Sequence, residues 1–231
     1  LAIDHTVYTV DLLGCGRSDK SSITYTNFVY VQMISDFIKK IIGQKTDVIA
    51  SGFSGSFVTM ACHNEKELFN KIMLVNPPSL TQLKQMPNRK DRLLKAALEI
   101  PIFGTLVYHM IVSRANINNL FIEKMYYNPF HVDNQMADAY YEAAHKGGYY
   151  TRFLYSSLAA KYININICHA LKALDNSIYI VEGETEPNGK AVTDDYCASN
   201  PAIEVSVLKE TKHLPHVEAP EAFLEQVKIF F

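Results

Sequence analysis

A serine hydroxyl attacks an acyl carbon only when a turn presents it and a neighbouring base takes its proton. The run Gly52-Phe53-Ser54-Gly55-Ser56 offers such a presentation. It follows Asp47-Val48-Ile49-Ala50-Ser51, a short apolar segment suited to a buried strand. At a sharp strand-to-helix turn, residues without bulk let strand and helix approach closely, and Gly52 and Gly55 meet that need. The turn is expected to strain the serine's own backbone and lift its hydroxyl above the sheet. Ser56 stands where the usual G-x-S-x-G pattern has its second glycine, one small residue in place of another. Ser51 and Ser56 are rival hydroxyls, but only Ser54 stands at the apex. An ordinary strand-to-helix turn uses the same residue types, so the rest of the chain must decide.

A serine at its normal pKa is a poor nucleophile. It needs a base, and the base needs an acid to fix its tautomer and stabilise its charged form. Ile178-Tyr179-Ile180-Val181 reads as a strand that runs into Glu182-Gly183-Glu184-Thr185-Glu186-Pro187, a turn displaying carboxylates. A later strand ends at Leu208 and leads into Thr211-Lys212-His213-Leu214-Pro215-His216-Val217-Glu218-Ala219-Pro220. A histidine in that loop sits on the same sheet edge as Ser54. His213 and His216 have the spacing of an H-x-x-H metal pair, but Pro215 breaks the helix that such a pair requires, so no metal is expected.

The elements that must position these groups follow from periodicity. Apolar runs suited to strands occur at Val7 to Leu12, Val48 to Ser51, Ile72 to Val75, Ile178 to Val181 and Ile203 to Leu208. The last alternates as an edge strand with one wet face does. Phe28, Val31, Ile34, Ile38 and Ile41 mark a helix ended by Gly43, Ser56 to His63 a second, and Pro220 opens a third. Strand-helix alternation of this kind implies a parallel sheet covered on both faces. From Ser79 to about Leu174 the alternation stops, and helical pieces rich in Tyr and Phe are punctuated at Pro87, Pro101, Gly104, Pro129 and Gly147-Gly148. Laid over the carboxyl ends of the strands, such an insertion would form a lid with an apolar pocket beneath it.

These features together resemble the α/β-hydrolase superfamily, in its lidded form. The resemblance rests on the chain order of serine, acid and histidine, and on His213-Leu214-Pro215-His216-Val217-Glu218-Ala219-Pro220 set against the family's H-x-P-H-x-E-x-P run. It also rests on Asp11-Leu12-Leu13-Gly14-Cys15-Gly16-Arg17-Ser18-Asp19, which looks like the family's D-x-x-G-x-G-x-S loop. It implies the fold of that superfamily: a mostly parallel sheet with helices on both faces, residues 1–78 and 175–231 forming the core and 79–174 an inserted helical lid. It further implies His213 as base, His216 as a structural neighbour, Glu186 as the acid with Glu184 as its rival, and the Gly55 N–H as one oxyanion donor. The family's second donor follows an earlier strand, which lies in the sheet between the Val7 and Val48 strands. No residues before Leu1 supply it, so an amino-terminal truncation with strands missing is expected.

The implied function is a serine hydrolase that cleaves a carboxylic ester or related acyl compound through an acyl-enzyme. The alternatives are a non-catalytic small-molecule binding protein or inactive fragment of the same fold, and an acyltransferase. The expected partner is a small apolar acyl substrate, with no organic cofactor. Lys and Arg number 22 against 24 Asp and Glu, so there is no broad basic field for nucleic acid or anionic lipid. Cys15, Cys62, Cys168 and Cys197 show no paired spacing, which suits reduced thiols and a cytoplasmic protein. The most apolar stretch, Ala96 to Val112, is interrupted by Glu99, Pro101, Gly104 and His109 and reads as lid helices rather than a membrane span.

Overall fold

The computed structural model describes residues 1–231. Four strands, β1 (Thr46–Ser51), β2 (Phe69–Val75), β3 (Ile178–Gly183) and β4 (Glu204–Leu208), pair in the order β1-β2-β3-β4, each neighbour parallel. Around them lie α1 (Asn27–Phe37), α2 (Phe53–Asn64), α3 (Leu80–Leu83), α4 (Arg89–Glu99), α5 (Pro101–Ile111) and α6 (Arg114–Leu120). They are followed by α7 (Asn134–His145), α8 (Arg152–Ala159), α9 (Cys168–Ala173), α10 (Gly189–Ser199), α11 (Pro215–Glu218) and α12 (Pro220–Phe230). The crossover from β2 to β3 contains α3 to α9 and no strand, so the helical insertion falls where the periodicity changes. No single helix is long and apolar enough to cross a membrane.

Side chains alternate across a strand, so each strand feeds two cores. Ile72 and Leu74 of β2 and Ile178 and Ile180 of β3 face a layer built from Tyr30 and Val31 of α1, Phe57, Val58 and Ala61 of α2, and Leu171 of α9. Their neighbours Met73, Tyr179 and Val181 face the opposite way, against Val227 and Phe223 of α12. All six residues of β3 are buried, which explains its unbroken apolar run. The two covered faces are those the sequence pattern implies.

Three local expectations fail. Val7 to Leu12 forms no strand, and Val7, Tyr8 and Val10 are exposed. An extended segment becomes a strand only by pairing its backbone. Here a groove of about 520 Å³ separates Val7, Tyr8 and Val10 from Val48 and Ile49 of β1. The groove lies where the resemblance places a further strand, and β1 is thereby left as an edge. In β4, the second edge, Val205 and Val207 are exposed while Ser206 is half-buried, so the wet face is the apolar one. Helix α12 covers the Leu208 side of β4. Finally, α2 begins at Phe53 rather than Ser56, which puts Ser54 inside its first turn.

Candidate active site

The register of the sheet brings the nominated residues to one edge. Ser51, Val75, Val181 and Ser206 stand in a row across the four strands. Ser54, Glu186 and His213 all follow that row, each in the segment leaving its strand's carboxyl end.

At the serine turn the strain is displaced from its expected position. The left-handed residue is Gly52, with φ +57° and ψ −132°, while Ser54 is ordinary helix. A side chain on Gly52 would meet nothing within 4 Å, so glycine is required there by backbone conformation alone. Ser54 is half-buried, lines the groove beside β1, and its Oγ donates to the carbonyl of Ser51 at 2.7 Å. Ser56, the residue in the second-glycine position, is fully buried and donates to the Phe53 carbonyl at 2.7 Å. The Gly55 N–H, expected to face an oxyanion, instead donates to the Gly52 carbonyl at 3.1 Å. The first turn of α2 closes on itself with a tight bond of the kind helix ends use to satisfy orphan groups.

The acid and the base meet. His213 Nδ1 lies 3.1 Å from Glu186 Oε1. That contact holds the histidine above its ordinary 6.5, with burial opposing and the charges of Glu186 and Glu218 reinforcing. Glu186 Oε2 is buried without a partner. The rival Glu184 is exposed and accepts from the backbone N–H of Glu210 at 3.0 Å, away from His213. His216 packs against Phe223, and burial beside His213 pushes it below the usual histidine value. Glu182 is buried at the end of β3, where desolvation raises its pKa. No group of three or more His, Cys, Asp or Glu side chains is placed to hold a metal ion.

Asn76, immediately after β2, escaped the sequence reading. It is buried, with φ +43°, a left-handed conformation that asparagine adopts more readily than most residues. Its Nδ2 donates to the carbonyls of Lys212 and His213 at 2.8 and 3.0 Å, and its Oδ1 accepts from the Gly183 N–H at 3.0 Å. One amide therefore ties the end of β2 to both the acid turn and the histidine loop. The signal in the sequence was a polar residue following the apolar run that ends at Val75. Gly183 completes the clamp: a Cβ there would lie 1.9 Å from the Lys212 carbonyl oxygen.

The inserted helices also hold this loop. The His213 N–H donates to the Met125 carbonyl at 3.1 Å, and the Glu218 carboxylate accepts from Lys212 N–H and Tyr127 N–H at 2.8 and 2.6 Å. Leu214 packs with Ile117, Phe121, Tyr126 and Ala137. A second cavity, of about 930 Å³, lies between the Asp11 to Arg17 loop and the insertion, lined by Tyr108, Tyr140, Tyr155 and Lys146 among others. None of Ser54, Glu186 and His213 lines it.

Solved structures share this architecture at low identity. A carboxylesterase of the thaumarchaeon Nitrososphaera gargenis superposes with a TM-score of 0.68 at 16% identity, covering 95% of this chain and 77% of that one. A 2-hydroxy-6-oxo-6-phenylhexa-2,4-dienoate hydrolase from Rhodococcus sp. strain RHA1 gives 0.72 at 16%, covering 96% and 78%. The epoxide hydrolase CorEH gives 0.74 at 13%, covering 96% and 80%. Identities this low establish the fold alone. A comparison with curated proteins finds no match. The model of the alpha/beta hydrolase family matches residues 1–226, and with the parallel sheet, its two helical faces and the inserted helices in place, the chain belongs to that family.

Proposed function

We propose that this chain is a serine hydrolase acting on a carboxylic ester or related acyl compound through Ser54, His213 and Glu186. The observation that carries the reading is the hydrogen bond between His213 Nδ1 and Glu186 Oε1, on the sheet edge where Ser54 also emerges. With Nδ1 turned to the carboxylate, Nε2 is the nitrogen free to act as base. Ser54 Oγ leaves the Ser51 carbonyl, gives its proton to His213 Nε2 and bonds to the acyl carbon. The tetrahedral intermediate collapses as His213 returns that proton to the departing alcohol. Water, deprotonated by the same histidine, then hydrolyses the acyl-enzyme and restores Ser54. Glu186 stabilises the imidazolium formed in each half. The Gly55 N–H must break from Gly52 to receive the oxyanion, a donor of a kind worth about a hundred- to a thousandfold in rate. No cofactor enters this sequence of steps. The lid role of residues 79–174 belongs to the same reading, supported by the bond from His213 N–H to Met125. All four cysteines are free thiols, which supports a cytoplasmic setting.

The engaged Ser54 hydroxyl and Gly55 N–H favour a second reading, a binding protein of the same fold that does not turn over. Fluorophosphonate labelling, with Ser54→Ala as the control, separates the two. Labelling of the wild type alone, together with hydrolysis of a short-chain p-nitrophenyl ester that Ser54→Ala lowers by about 10⁴-fold or more, supports the hydrolase. Equal labelling of both proteins removes Ser54 from the mechanism, and labelling of neither supports the binding protein.

A further inference from the structure

Helix α4 turns part of its charge inward, beside buried Leu98. Asp91, Lys95 and Glu99 recur every four residues along one face, and that face points inward. Asp91 and Lys95 are buried. Lys161 Nζ lies 3.2 Å from Asp91, Lys95 Nζ lies 2.5 Å from Glu99, and Ser156 Oγ donates to Glu99 at 2.8 Å. Arg152, also buried, donates to the Glu99 carbonyl and to Thr105 of α5. The outward face carries Leu93 and Leu94, and the chain continues through exposed Ile100 into α5. There Ile102, Leu106 and Met110 form a single stripe at helical spacing, 86%, 61% and 64% exposed, with Phe103 beside it. Scattered apolar residues on a surface are ordinary, but a large exposed apolar stripe along one helix, with further exposed apolar residues on the helix before it, marks a contact surface.

The charges around this face are of one sign. From Lys84 to Ile111 the chain carries Lys84, Arg89, Lys90, Arg92 and Lys95 against Asp91 and Glu99 alone. Both acids are held in the inward ion pairs. Lys84, Arg89, Lys90 and Arg92 are exposed and form no ion pair. The even charge balance of the whole chain conceals this local basic strip. We propose that the outer face of α4 and α5 docks on the surface of an anionic phospholipid bilayer, with Ile102, Phe103, Leu106 and Met110 entering the interface and Arg89, Lys90 and Arg92 meeting the phosphates.

The geometry fits lying on a bilayer and not crossing it. The two helices meet at 96°, and each has 11 residues, about 16 Å of helix against roughly 30 Å of hydrocarbon. An interfacial segment needs an apolar face flanked by basic residues, and a rigid one keeps the apolar side chains outward before the membrane arrives. The polar network through Lys95, Glu99, Ser156 and Arg152 provides that rigidity. The proposal is independent of which bond the active site cleaves.

Flotation of the full chain with vesicles of equal phosphatidylglycerol and phosphatidylcholine tests it. The wild type co-floats, binds vesicles of phosphatidylcholine alone at least tenfold more weakly, and loses binding as salt is raised. Ile102→Ser with Leu106→Ser keeps the wild-type melting temperature, because both side chains meet solvent, and weakens binding more than tenfold. Arg89→Gln, Lys90→Gln and Arg92→Gln together remove a factor of about five per charge, roughly a hundredfold in all. No flotation of the wild type, or equal flotation of either variant, overturns the proposal. So does a dimer in sedimentation velocity that the Ile102→Ser, Leu106→Ser variant dissociates, since the face would then belong to a second copy.

Discussion

The acid-histidine half of the candidate site and its serine half stand on the same sheet and are built to different standards. Glu186 and His213 leave β3 and β4, and the segments that carry them are held from several sides. Asn76 bonds to both loops, Gly183 leaves no room for movement against Lys212, and Met125 and Glu218 tie the loop to the inserted helices. Ser54 leaves β1, whose far edge is unpaired and whose Ile49 is exposed beside the groove. There the hydroxyl and the Gly55 N–H are satisfied by the turn's own carbonyls. A loop bonded to another strand's end and to the inserted helices can be held in an otherwise costly geometry, as the histidine loop is although β4 is itself an edge. A loop without such partners satisfies itself locally.

The largest test of this contrast removes the charge that links acid to base. Glu186→Gln keeps the shape and should lower kcat on a p-nitrophenyl ester by about 10³- to 10⁴-fold. It should also shift the pH profile. Because the folded pKa of His213 is raised, the wild-type rate rises with pH through a midpoint above 6.5, and the Gln variant's midpoint should fall. The matching stability runs the other way. A raised folded value makes the protonated pair stabilising below the unfolded histidine's pKa, and that contribution is lost as pH climbs through the folded one, which pH-dependent melting of wild type against Glu186→Gln would show.

A smaller effect is expected from Gly183→Ala, whose Cβ meets the Lys212 backbone. About 3 kcal/mol should be lost, lowering the melting temperature by roughly 6–12 °C, with activity lost as the histidine loop moves. Asn76→Ala leaves three bonded groups without their partner and should cost about 1–3 kcal/mol by chemical denaturation. Its kcat should fall about tenfold while KM holds, and the His213 midpoint should shift, which a merely structural residue would not cause. The smallest effect belongs to the serine half. Gly52→Ala meets no atom, so only its left-handed backbone resists, at about 1–2 kcal/mol or roughly 2–8 °C of melting temperature. Equal losses at Gly183 and Gly52 would erase the distinction between the two halves.

Much of the fold was legible because its signals are local. The runs at Val48, Ile72 and Ile178 are strands since β-branched and aliphatic residues suit a sheet covered on both faces, and the insertion is helical where that pattern ceases. Val7 to Leu12 carries the same signal and is not a strand, because a ladder needs a partner that periodicity does not report. The positions of Ser54, Glu186 and His213 at one sheet edge followed from chain order. The orientation of their atoms did not, since the Ser54 hydroxyl and the Gly55 N–H respond to whichever carbonyl lies nearest. The role of Asn76 was not legible, because its three partners lie more than a hundred residues away in sequence.

By itself, then, the sequence determined that strand and helix alternate around a parallel sheet, that a helical insertion interrupts them, and that a serine, an acid and a histidine each follow a strand in that order. Each is a property of neighbours along the chain. Only the tertiary structure decided that the histidine and Glu186 meet, that the serine turn closes on itself, and that α4 buries Asp91 and Lys95 while exposing Leu93 and Leu94. Those outcomes depend on which distant groups come within hydrogen-bonding or packing distance, and burial against a particular partner outweighs the local preference of any single residue.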